Sequence, residues 1–587
     1  MRSKPVRASG SGRRRARPTS AQRSSVAAAH PTTSAQTYWR PVSIVLAGTL
    51  TYLTSLRNPF LFDDVASVVQ NQTIRHLWSG WPPSETAVAG RPLVNFSFAL
   101  NYWFGGLTVT SYHVVNIVLH VVVALLIYAI VRRTIVRANA LVNVGAENVA
   151  FAAALLWTVH PLGSEVVDYL TQRTESLMAV CFLACLYASI RALDSRRSRL
   201  WMGAAIAFCL AGIASKETIV VAPLAVVLYD RVFAFPSIRE AVRQRWPLYV
   251  GLALTWAPLA ALVIYHGQSV SAGFATARVS SWTYLLNQTR MLARYASLVV
   301  WPHGLVLYYG WPQPLTLGDI WPYGLFVVVL LGAALVTLIR RPTIGFPVVL
   351  AFLLLAPTSS LLPIATEVGA ERRMYLPLAA LITAVVVSVA AWYDRRLASR
   401  GADTGGRGLF FAAAAALAVV LAVTTVLRTR EYSSGLVMAR TVLDRWPGAN
   451  AQAVLGKELA VAGQHQEAIE HLRLATAGYP AARYMLGSEL VQVGSMDEAT
   501  NELQQFVRDE PNSLTTRTAY LLLARAFASK QHWADATRNL QVVLNREPTN
   551  PEANGLLAEV LVSQQKFQES IPHYQVFLTV HPDDGSA

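Results

Sequence analysis

Long apolar runs separated by short polar segments fill the first three quarters of the chain. A helix that crosses a bilayer needs about 20 mostly apolar residues, and fewer where proline or a cavity interrupts it. Eleven segments fit this description: 41–57, 113–131, 149–163, 176–193, 200–214, 217–233, 247–266, 323–339, 345–362, 374–393 and 408–427. The pattern predicts an all-α fold in which residues 41–430 form a polytopic transmembrane bundle of about eleven spans.

Segment 284–301 is apolar enough to span, but it contains Asn287, Arg290 and Arg294. Counting it as a span breaks the rule that basic loops stay cytoplasmic. Treating it as re-entrant or interfacial keeps every basic cluster on the cytoplasmic side, namely 132–133, 196–199, 231–245, 340–341 and 395–400. Eleven spans then place the C-terminus outside the cytoplasm, whereas twelve would place it inside.

Beyond about residue 440 the apolar runs stop and a repeat begins. The pairs Leu455-Gly456, Leu486-Gly487, Leu523-Ala524 and Leu557-Ala558 recur at intervals of 31, 37 and 34 residues, and Pro480, Pro511, Pro548 and Pro582 close the units. These intervals bracket the 34-residue tetratricopeptide repeat (TPR), in which small residues let two antiparallel helices touch. Residues 440–587 are therefore predicted to form an α-solenoid of about four TPRs. It would bind a peptide or protein, or serve only as a structural lid.

Composition places most of the chain in lipid, since 53% of its residues are hydrophobic and only 14% are charged. Soluble chains carry roughly 25% charged residues. The net charge of +16 could suggest nucleic acid, but nine basic residues and no acid lie in residues 1–40. This segment is predicted to be a disordered cytoplasmic tail that orients the protein. RNA or anionic lipid binding by the tail is the alternative, and no nucleic acid partner is expected.

Acidic and basic residues of four predicted loops fall on one side of this topology, the side away from the tail. They are Asp63 and Asp64, then Arg91, then His160, Glu165, Arg173 and Glu175, then Lys216 and Glu217, and finally Glu371, Arg372 and Tyr375. Charges near the membrane are costly and are usually paired or functional. A carboxylate there could take the proton of an acceptor hydroxyl while cations stabilise a departing lipid phosphate.

Each of these residues also has a structural interpretation. Asp63 and Asp64 could cap a helix, and the residues alone favour capping and a functional role equally. His160 with Pro161 fits the end of the third span, and Lys216 with Glu217 fits an interfacial pair with a snorkelling lysine. The two arginines of segment 284–301, Arg290 and Arg294, could anchor lipid headgroups as easily as they bind a donor phosphate or diphosphate.

Several phrases occur in an order that resembles one family. They are NPFLFDDV, RPLVNFSFALNYWFGG, YHVVNIVLH, HPLGSEVVDYLTQRTESL, ASKE, LYD and ERRMYLP, followed by the repeats. The order is similar to that of the transmembrane-and-TPR O-mannosyltransferases and their bacterial relatives, within the polyprenyl-phosphate-sugar-dependent GT-C glycosyltransferases. The resemblance extends over residues 41–582. It implies inverting transfer of a sugar, mannose in eukaryotic members, from a polyprenyl phosphate to a protein Ser or Thr hydroxyl.

The resemblance also implies roles for particular residues. Asp63 corresponds to the general base of the first external loop, with Asp64 beside it. The matches that would bind donor or substrate are His160 with Glu165, Arg173 with Glu175, Lys216 with Glu217, and Glu371 with Arg372 and Tyr375. Reasoning from the residues alone adds Arg91, Arg290 and Arg294 to this set. The sequence departs from the family pattern at Gln172 and Arg373, lacks a serine after Pro377, and has few repeats. These departures leave the acceptor open, and the need for a divalent cation is open as well.

Two other functions compete with glycosyl transfer. A non-catalytic scaffold that recruits partners through its repeats would need neither eleven spans nor external acids. A transporter would carry charges within its spans and show inverted repeats, and neither feature is visible. The Ala- and Arg-rich composition fits a bacterial inner membrane with periplasmic repeats; a eukaryotic chain would place them in the lumen of the endoplasmic reticulum.

Overall fold

The computed structural model describes residues 34–78, 86–139, 144–265, 279–360, 363–364, 366–400, 404–513 and 515–581. Most of the predicted tail 1–40 therefore lies outside the described residues. The described residues contain α-helices and short 3-10 or π turns and no β-strand element, which confirms the predicted all-α class.

Fifteen helices and several short turns build the N-terminal bundle. The helices are α1 Ser34–Thr51, α2 Pro92–Gly105, α3 Val109–Arg137, α4 Ala146–Thr158, α5 Ser164–Asp168, α6 Arg173–Asp194, α7 Ser198–Ile213, α8 Ala222–Phe233, α9 Ile238–Leu254, α10 Trp256–Tyr265, α11 Ser281–Val300, α12 Leu317–Arg340, α13 Pro342–Leu355, α14 Tyr375–Arg400 and α15 Thr404–Glu431. One large apolar core joins α3, α4, α6, α8, α13 and α14. The elements that carry the predicted site residues pack around this core.

Five segments of the described residues are long and apolar enough to cross a membrane. They are Val109–Arg137, Leu170–Asp194, Leu317–Arg340, Glu371–Arg396 and Gly408–Glu431. A bent pair, Ala146–Thr158 and Pro161–Asp168, would make a sixth. The structure identifies a membrane protein but does not confirm eleven spans, because other predicted spans coincide with shorter or interrupted helices.

Proline accounts for several of these interruptions. The α4–α5 pair bends by 58° where His160 and Pro161 separate the two helices. Pro247 follows a kink in α9, where Arg245 leaves the helical region with φ of −128° and ψ of 18°. Proline removes a backbone donor and disfavours the helical conformation at the preceding residue. A predicted apolar run at such a place becomes two short helices.

The ambiguous segment 284–301 forms α11, a continuous 20-residue helix. It is long enough to cross a membrane but less apolar than the five segments above. Asn287 and Gln288 are buried within it, and they bond to backbone oxygens of Gln313 at 2.7 Å and Val368 at 2.8 Å. Its polar side chains therefore hold the loops that surround the site.

The C-terminal part is a regular succession of helix pairs that follows the predicted period. Its helices are α16 Gly435–Arg445, α17 Ala449–Val461, α18 His465–Thr476, α19 Ala482–Gln492, α20 Met496–Asp509, α21 Thr516–Ser529, α22 Trp533–Leu544, α23 Pro551–Ser563 and α24 Phe567–Leu578. Glycines sit where paired helices touch: a Cβ at Gly456 would lie 2.6 Å from Leu472 and one at Gly487 would lie 2.5 Å from Leu503. The small residues of the repeat pattern thus permit the close approach predicted for them.

A loop at residues 301–316, here called the clasp loop, connects the bundle with the first repeats. The indole of Trp446 donates to the backbone oxygen of Tyr309 at 3.0 Å, and the rings of Trp311 and Tyr479 lie 4.1 Å apart. Gly310, which lies between Tyr309 and Trp311 in the chain, has φ of +83°. A Cβ at this position would lie 2.9 Å from the Asn450 side chain. The backbone oxygen of the same glycine accepts the N–H of Val368 at 2.8 Å. The clasp loop therefore touches the repeats and the segment before α14 together.

Candidate active site

The two adjacent aspartates lie in different environments. Asp63 is exposed, and its backbone N–H donates to the hydroxyl of Tyr169 at 3.0 Å. The Asp64 carboxylate is fully buried and accepts the N–H of Leu61 at 3.1 Å and that of Thr171 at 2.7 Å, besides the Thr171 hydroxyl. Burial raises the pKa of Asp64 to about 7. Asp63 is thus open to solvent, and Asp64 holds the loop.

The capping interpretation of this pair is not supported. Asp64 is the residue before the turn Val65–Val69, but its side chain makes no capping bond to that turn. Its carboxylate instead joins the turn after Leu61 to the segment before α6. The aspartate pair therefore belongs to a tertiary contact between the first loop and the α5–α6 loop.

Glu165 and Arg372 form a buried ion pair across the bundle. The Nη1 of Arg372 lies 2.6 Å from Oε1 of Glu165, and the backbone N–H of Arg372 donates to Oε2 at 2.8 Å. A second carboxylate, Glu367, contacts Nη2 of Arg372 and lies 3.5 Å from Arg373. Two acids thus fix the Arg372 guanidinium, which keeps 20% of its side chain exposed.

Two further pairs lie beside this one. The ammonium of Lys216 contacts the Glu175 carboxylate, and Nη2 of Arg91 lies 3.5 Å from Glu217. Burial lowers the pKa of Lys216; Glu175 raises it, while Arg91 and Arg372 lower it further. The three ion pairs therefore link predicted residues of all four loops.

Tyr169 lies against the loop of the exposed aspartate, whose N–H its hydroxyl accepts. Burial raises the pKa of its hydroxyl, Asp63 and Asp64 raise it further, and Arg372 lowers it. This tyrosine lies in the phrase HPLGSEVVDYLTQRTES, but sequence reasoning did not single it out. Its position between two charged motifs of that phrase was the available signal.

Three further predicted residues make contacts that stabilise the bundle. Arg173 is fully buried and donates to Asn116 at 2.7 Å and Asn101 at 2.6 Å, with its guanidinium 4.5 Å from the centre of the Phe98 ring. His160 is buried and accepts the N–H of Leu162 at 3.2 Å, in agreement with its alternative role at the end of a helix.

Tyr375 is the third such residue. Its hydroxyl lies 2.8 Å from Nδ1 of buried His120, and Nε2 of that histidine donates to the backbone oxygen of Thr158 at 2.9 Å. The tyrosine hydroxyl is therefore the donor to Nδ1. Both side chains fasten α14 to α3 and α4 beneath the charged cluster.

The two arginines of α11 donate to backbone carbonyls of neighbouring segments. Arg290 is exposed, and it donates to the backbone oxygen of Asp319 at 2.9 Å. Arg294 donates to Gly304 at 2.6 Å and to His303 at 3.2 Å, in the clasp loop. Among the described residues, neither arginine forms an ion pair with an acid of the charged cluster. Arg294 positions the clasp loop, and Arg290 contacts the first turn of α12.

Glu371 belongs to a buried group of residues, of which sequence analysis singled out only Glu371 itself. Its Oε1 accepts the N–H of Val306 at 2.6 Å and the hydroxyl of Tyr309 at 3.0 Å, both in the clasp loop. Its Oε2 lies 4.0 Å from Nη2 of Arg428, which also pairs with Glu431. Arg428 immediately follows the predicted apolar run 408–427, and no sequence pattern indicated its contact with Glu371.

The arrangement is a cluster of three ion pairs, and Asp63 lies exposed on the first loop. No group of three His, Cys, Asp or Glu side chains suited to a metal ion occurs in the part of the chain that the structure describes. Arg372, Lys216 and Arg91 are each held in place by a partner acid. Such fixed cations suit stabilisation of a leaving anion, and the exposed aspartate suits proton removal.

Comparisons with known proteins agree with the resemblance read from the sequence. Residues 90–265 match the family described as dolichyl-phosphate-mannose-protein mannosyltransferase, and residues 521–586 match a tetratricopeptide repeat family. The chain is 32% identical over 153 residues to a protein O-mannosyl-transferase of Caenorhabditis elegans, F38B6.6, covering 24% of this chain and 21% of that protein. It is 29% identical over 258 residues to Drosophila melanogaster Tmtc2, covering 40% of this chain and 26% of that one.

The human relative TMTC1 is 30% identical over 161 residues, which cover 25% of this chain and 17% of that protein. The matched part thus spans about a quarter or less of these curated relatives. Among solved structures, MamA from Desulfovibrio magneticus RS-1 overlaps 27% of this chain and 90% of its own, with 18% identity and a TM-score of 0.24. The comparisons confirm the predicted family resemblance, a mannosyltransferase segment followed by TPRs.

Proposed function

We propose that this mannosyltransferase-family chain transfers a sugar, mannose or a close relative, from a polyprenyl phosphate to a Ser or Thr hydroxyl of a protein. The proposal is supported most by one observation: Asp63 is exposed, and its loop bonds to Tyr169 and Thr171, which lie in the chain between the ion-paired Glu165 and Glu175. Its neighbour Asp64 is buried and engaged. The family match at residues 90–265 contains most of the cationic cluster.

In the proposed step Asp63 removes the proton of the acceptor hydroxyl. The hydroxyl oxygen forms a bond to the anomeric carbon while the bond from that carbon to the phosphate oxygen breaks. The electron pair of the broken bond leaves with the polyprenyl phosphate, and the proton stays on the Asp63 carboxylate. A single displacement inverts the anomeric centre and needs only one base.

Arg372, Lys216 and Arg91 would stabilise the leaving phosphate. Their partner acids hold them in fixed positions, and preorganised charges stabilise a transition state without reorganising during the reaction. Arg91 is the loosest of the three, since its contact with Glu217 is 3.5 Å long and both side chains are partly exposed. It is therefore the cation best placed to exchange its acid for a phosphate.

The repeats would supply the protein acceptor. They contact the segment before α14 through the clasp loop, so an acceptor held on the repeats has a raised effective concentration near Asp63. The proposed location is a membrane with the repeats and the charged cluster on the side opposite the tail: periplasmic in a bacterium, lumenal in a eukaryote.

The test is sugar transfer in membranes that contain the full chain, supplied with polyprenyl-phosphate mannose and a Ser/Thr peptide. Asp63→Asn should lower the transfer rate at least 100-fold, as expected for loss of a general base. The matched control is Glu147→Gln, an acid paired with Arg40 outside the cluster, and it should keep the rate. Full activity of Asp63→Asn would refute the proposed base. A wild-type chain that recruits proteins through its repeats but transfers no sugar would favour the scaffold.

A further inference from the structure

An apolar cleft of about 510 Å³ opens in the bundle away from the charged cluster. Five helices line it, namely α3, α6, α8, α13 and α14, with side chains that include Ile130, Phe182, Phe233, Leu350 and Val387. An apolar cavity of about 150 Å³ holds a benzene molecule. A cleft more than three times that size has room for a hydrocarbon chain.

The length of the cleft matches one leaflet of a bilayer. Its lining extends over residues 127–138 of α3 and 343–354 of α13. Each stretch rises about 17 Å, which is roughly half of the ~30 Å hydrocarbon core. α14 alone continues the lining further, over residues 376–395 or about 28 Å, so the part of the cleft that several helices enclose is one leaflet long. An acyl chain from one leaflet fits this length better than a long polyprenyl chain, which would extend beyond it.

Arginines mark one end of the cleft. Arg341 precedes the first residue of α13, and Arg395 lies near the end of α14. Both line the cleft, and both are exposed. The N-terminus of α13 adds the positive end of a helix dipole at the same place. Asp394 also lines this end, but its carboxylate accepts the N–H of Val144 at 3.0 Å.

We propose that this cleft binds one acyl chain of a glycerophospholipid whose phosphate is held by Arg341 and Arg395. Guanidinium groups bind phosphate through charge-assisted hydrogen bonds, and the apolar walls exclude water from the chain. Arg395 lies 20 residues along α14 from Tyr375, about 30 Å from the charged cluster. The inference is therefore independent of the proposed sugar transfer.

The test uses the delipidated full chain in detergent and measures binding of phosphatidylglycerol by native mass spectrometry and by thermal shift. Arg341→Gln with Arg395→Gln should weaken binding at least tenfold and remove the thermal shift. The matched control changes the adjacent arginines, Arg340→Gln with Arg396→Gln. Neither of these lines the cleft, so phosphatidylglycerol should bind this variant as it binds the wild type.

Competition separates the phospholipid from other occupants. Diacylglycerol, which has the chains without the phosphate, should displace phosphatidylglycerol at least tenfold less well than unlabelled phosphatidylglycerol does. Ala380→Phe, which adds volume to the cleft wall, should abolish binding while the arginines remain. Unchanged binding in the Arg341 and Arg395 variant, or equal displacement by diacylglycerol, would overturn the phosphate contact. Stronger displacement by polyprenyl phosphate would assign the cleft to the sugar donor and overturn the proposal.

Discussion

Glu165 holds Arg372 with both carboxylate oxygens, one bonded to the guanidinium at 2.6 Å and the other to the backbone N–H at 2.8 Å. The two residues are 207 positions apart in the chain, so the contact joins the α5 segment to the turn that precedes α14. Because Glu165 is fully buried, removal of its charge leaves Arg372 poorly compensated.

We expect Glu165→Gln to lower the free energy of unfolding by about 3 kcal/mol, the lower part of the range for breaking a buried ion pair. Sugar transfer should fall as well, because Arg372 loses its fixed position. Chemical unfolding in detergent micelles gives the first quantity. Glu147→Gln, which breaks the half-exposed pair with Arg40, should cost less than about 1 kcal/mol. Equal costs for both variants would contradict the structural importance of the Glu165 contact.

The two aspartates should separate stability from activity. Asp64→Ala leaves the N–H groups of Leu61 and Thr171 without an acceptor and should lower the free energy of unfolding by about 3 kcal/mol. Asp63→Asn changes an exposed side chain and should stay within about 0.5 kcal/mol of the wild type. Melting curves of both purified variants check this. A greater loss of stability in Asp63→Asn than in Asp64→Ala would reverse the assignment.

Asp64 should also give the protein a pH dependence of known sign. Burial raises its pKa to about 7, above the value of an unfolded aspartate, so the folded state binds the proton more tightly. The stability from this group is fully present below about pH 4 and is lost as the pH rises through about 7. The melting temperature of the wild type minus that of Asp64→Asn should therefore be larger at pH 5 than at pH 8. A difference that grows with pH would show that the pKa is lowered instead.

The junction between bundle and repeats should depend on one arginine. Arg445 lies 2.6 Å from Glu431 at the end of α15, and it donates to the backbone oxygen of Leu305 in the clasp loop at 2.7 Å. Arg445→Ala should make the link between α15 and α16 cleavable by protease at least five times faster than in the wild type. Arg440→Ala, on the same helix, removes only an exposed contact with Glu467 at 3.7 Å and should leave the rate unchanged.

Labelling can test on which side of the membrane each part lies. The three native cysteines are buried, so a new cysteine at exposed Asn501 can be labelled selectively. In intact cells an impermeant maleimide should label Asn501→Cys and should not label Ser24→Cys in the tail. Labelling of both positions only after lysis would place the repeats with the tail and contradict the predicted sidedness.

The architecture was largely readable from the sequence, because apolar length and repeat spacing are local properties. The number of spans was not, since apolar runs broken at Pro161 or near Pro247 form helices too short to count alone. The close approach at Gly456 followed from the repeat pattern, because a small residue at a fixed interval has one main use.

The site was less predictable. Asp63 and Asp64 are identical side chains in adjacent positions, and only the fold shows that one is exposed and the other is buried. Arg173 resembles a ligand-binding arginine in sequence, yet neutral amides surround it. The pairing of Lys216 with Glu175 joins residues of two motifs, and no spacing rule specifies which acid a cation will meet.

The clasp loop limits how this protein can be recombined. Its glycine, Gly310, leaves no space for a side chain against Asn450, and its aromatic neighbours pack against Trp446 and Tyr479. In a chimera that joins these repeats to the bundle of a relative, the repeats would contact a clasp loop with different side chains. Exchange of domains should succeed only when residues 301–316 are transferred with the repeats together with the bundle residues that hold them, namely Arg294, Val368 and Glu371. The exchangeable unit therefore extends into the bundle.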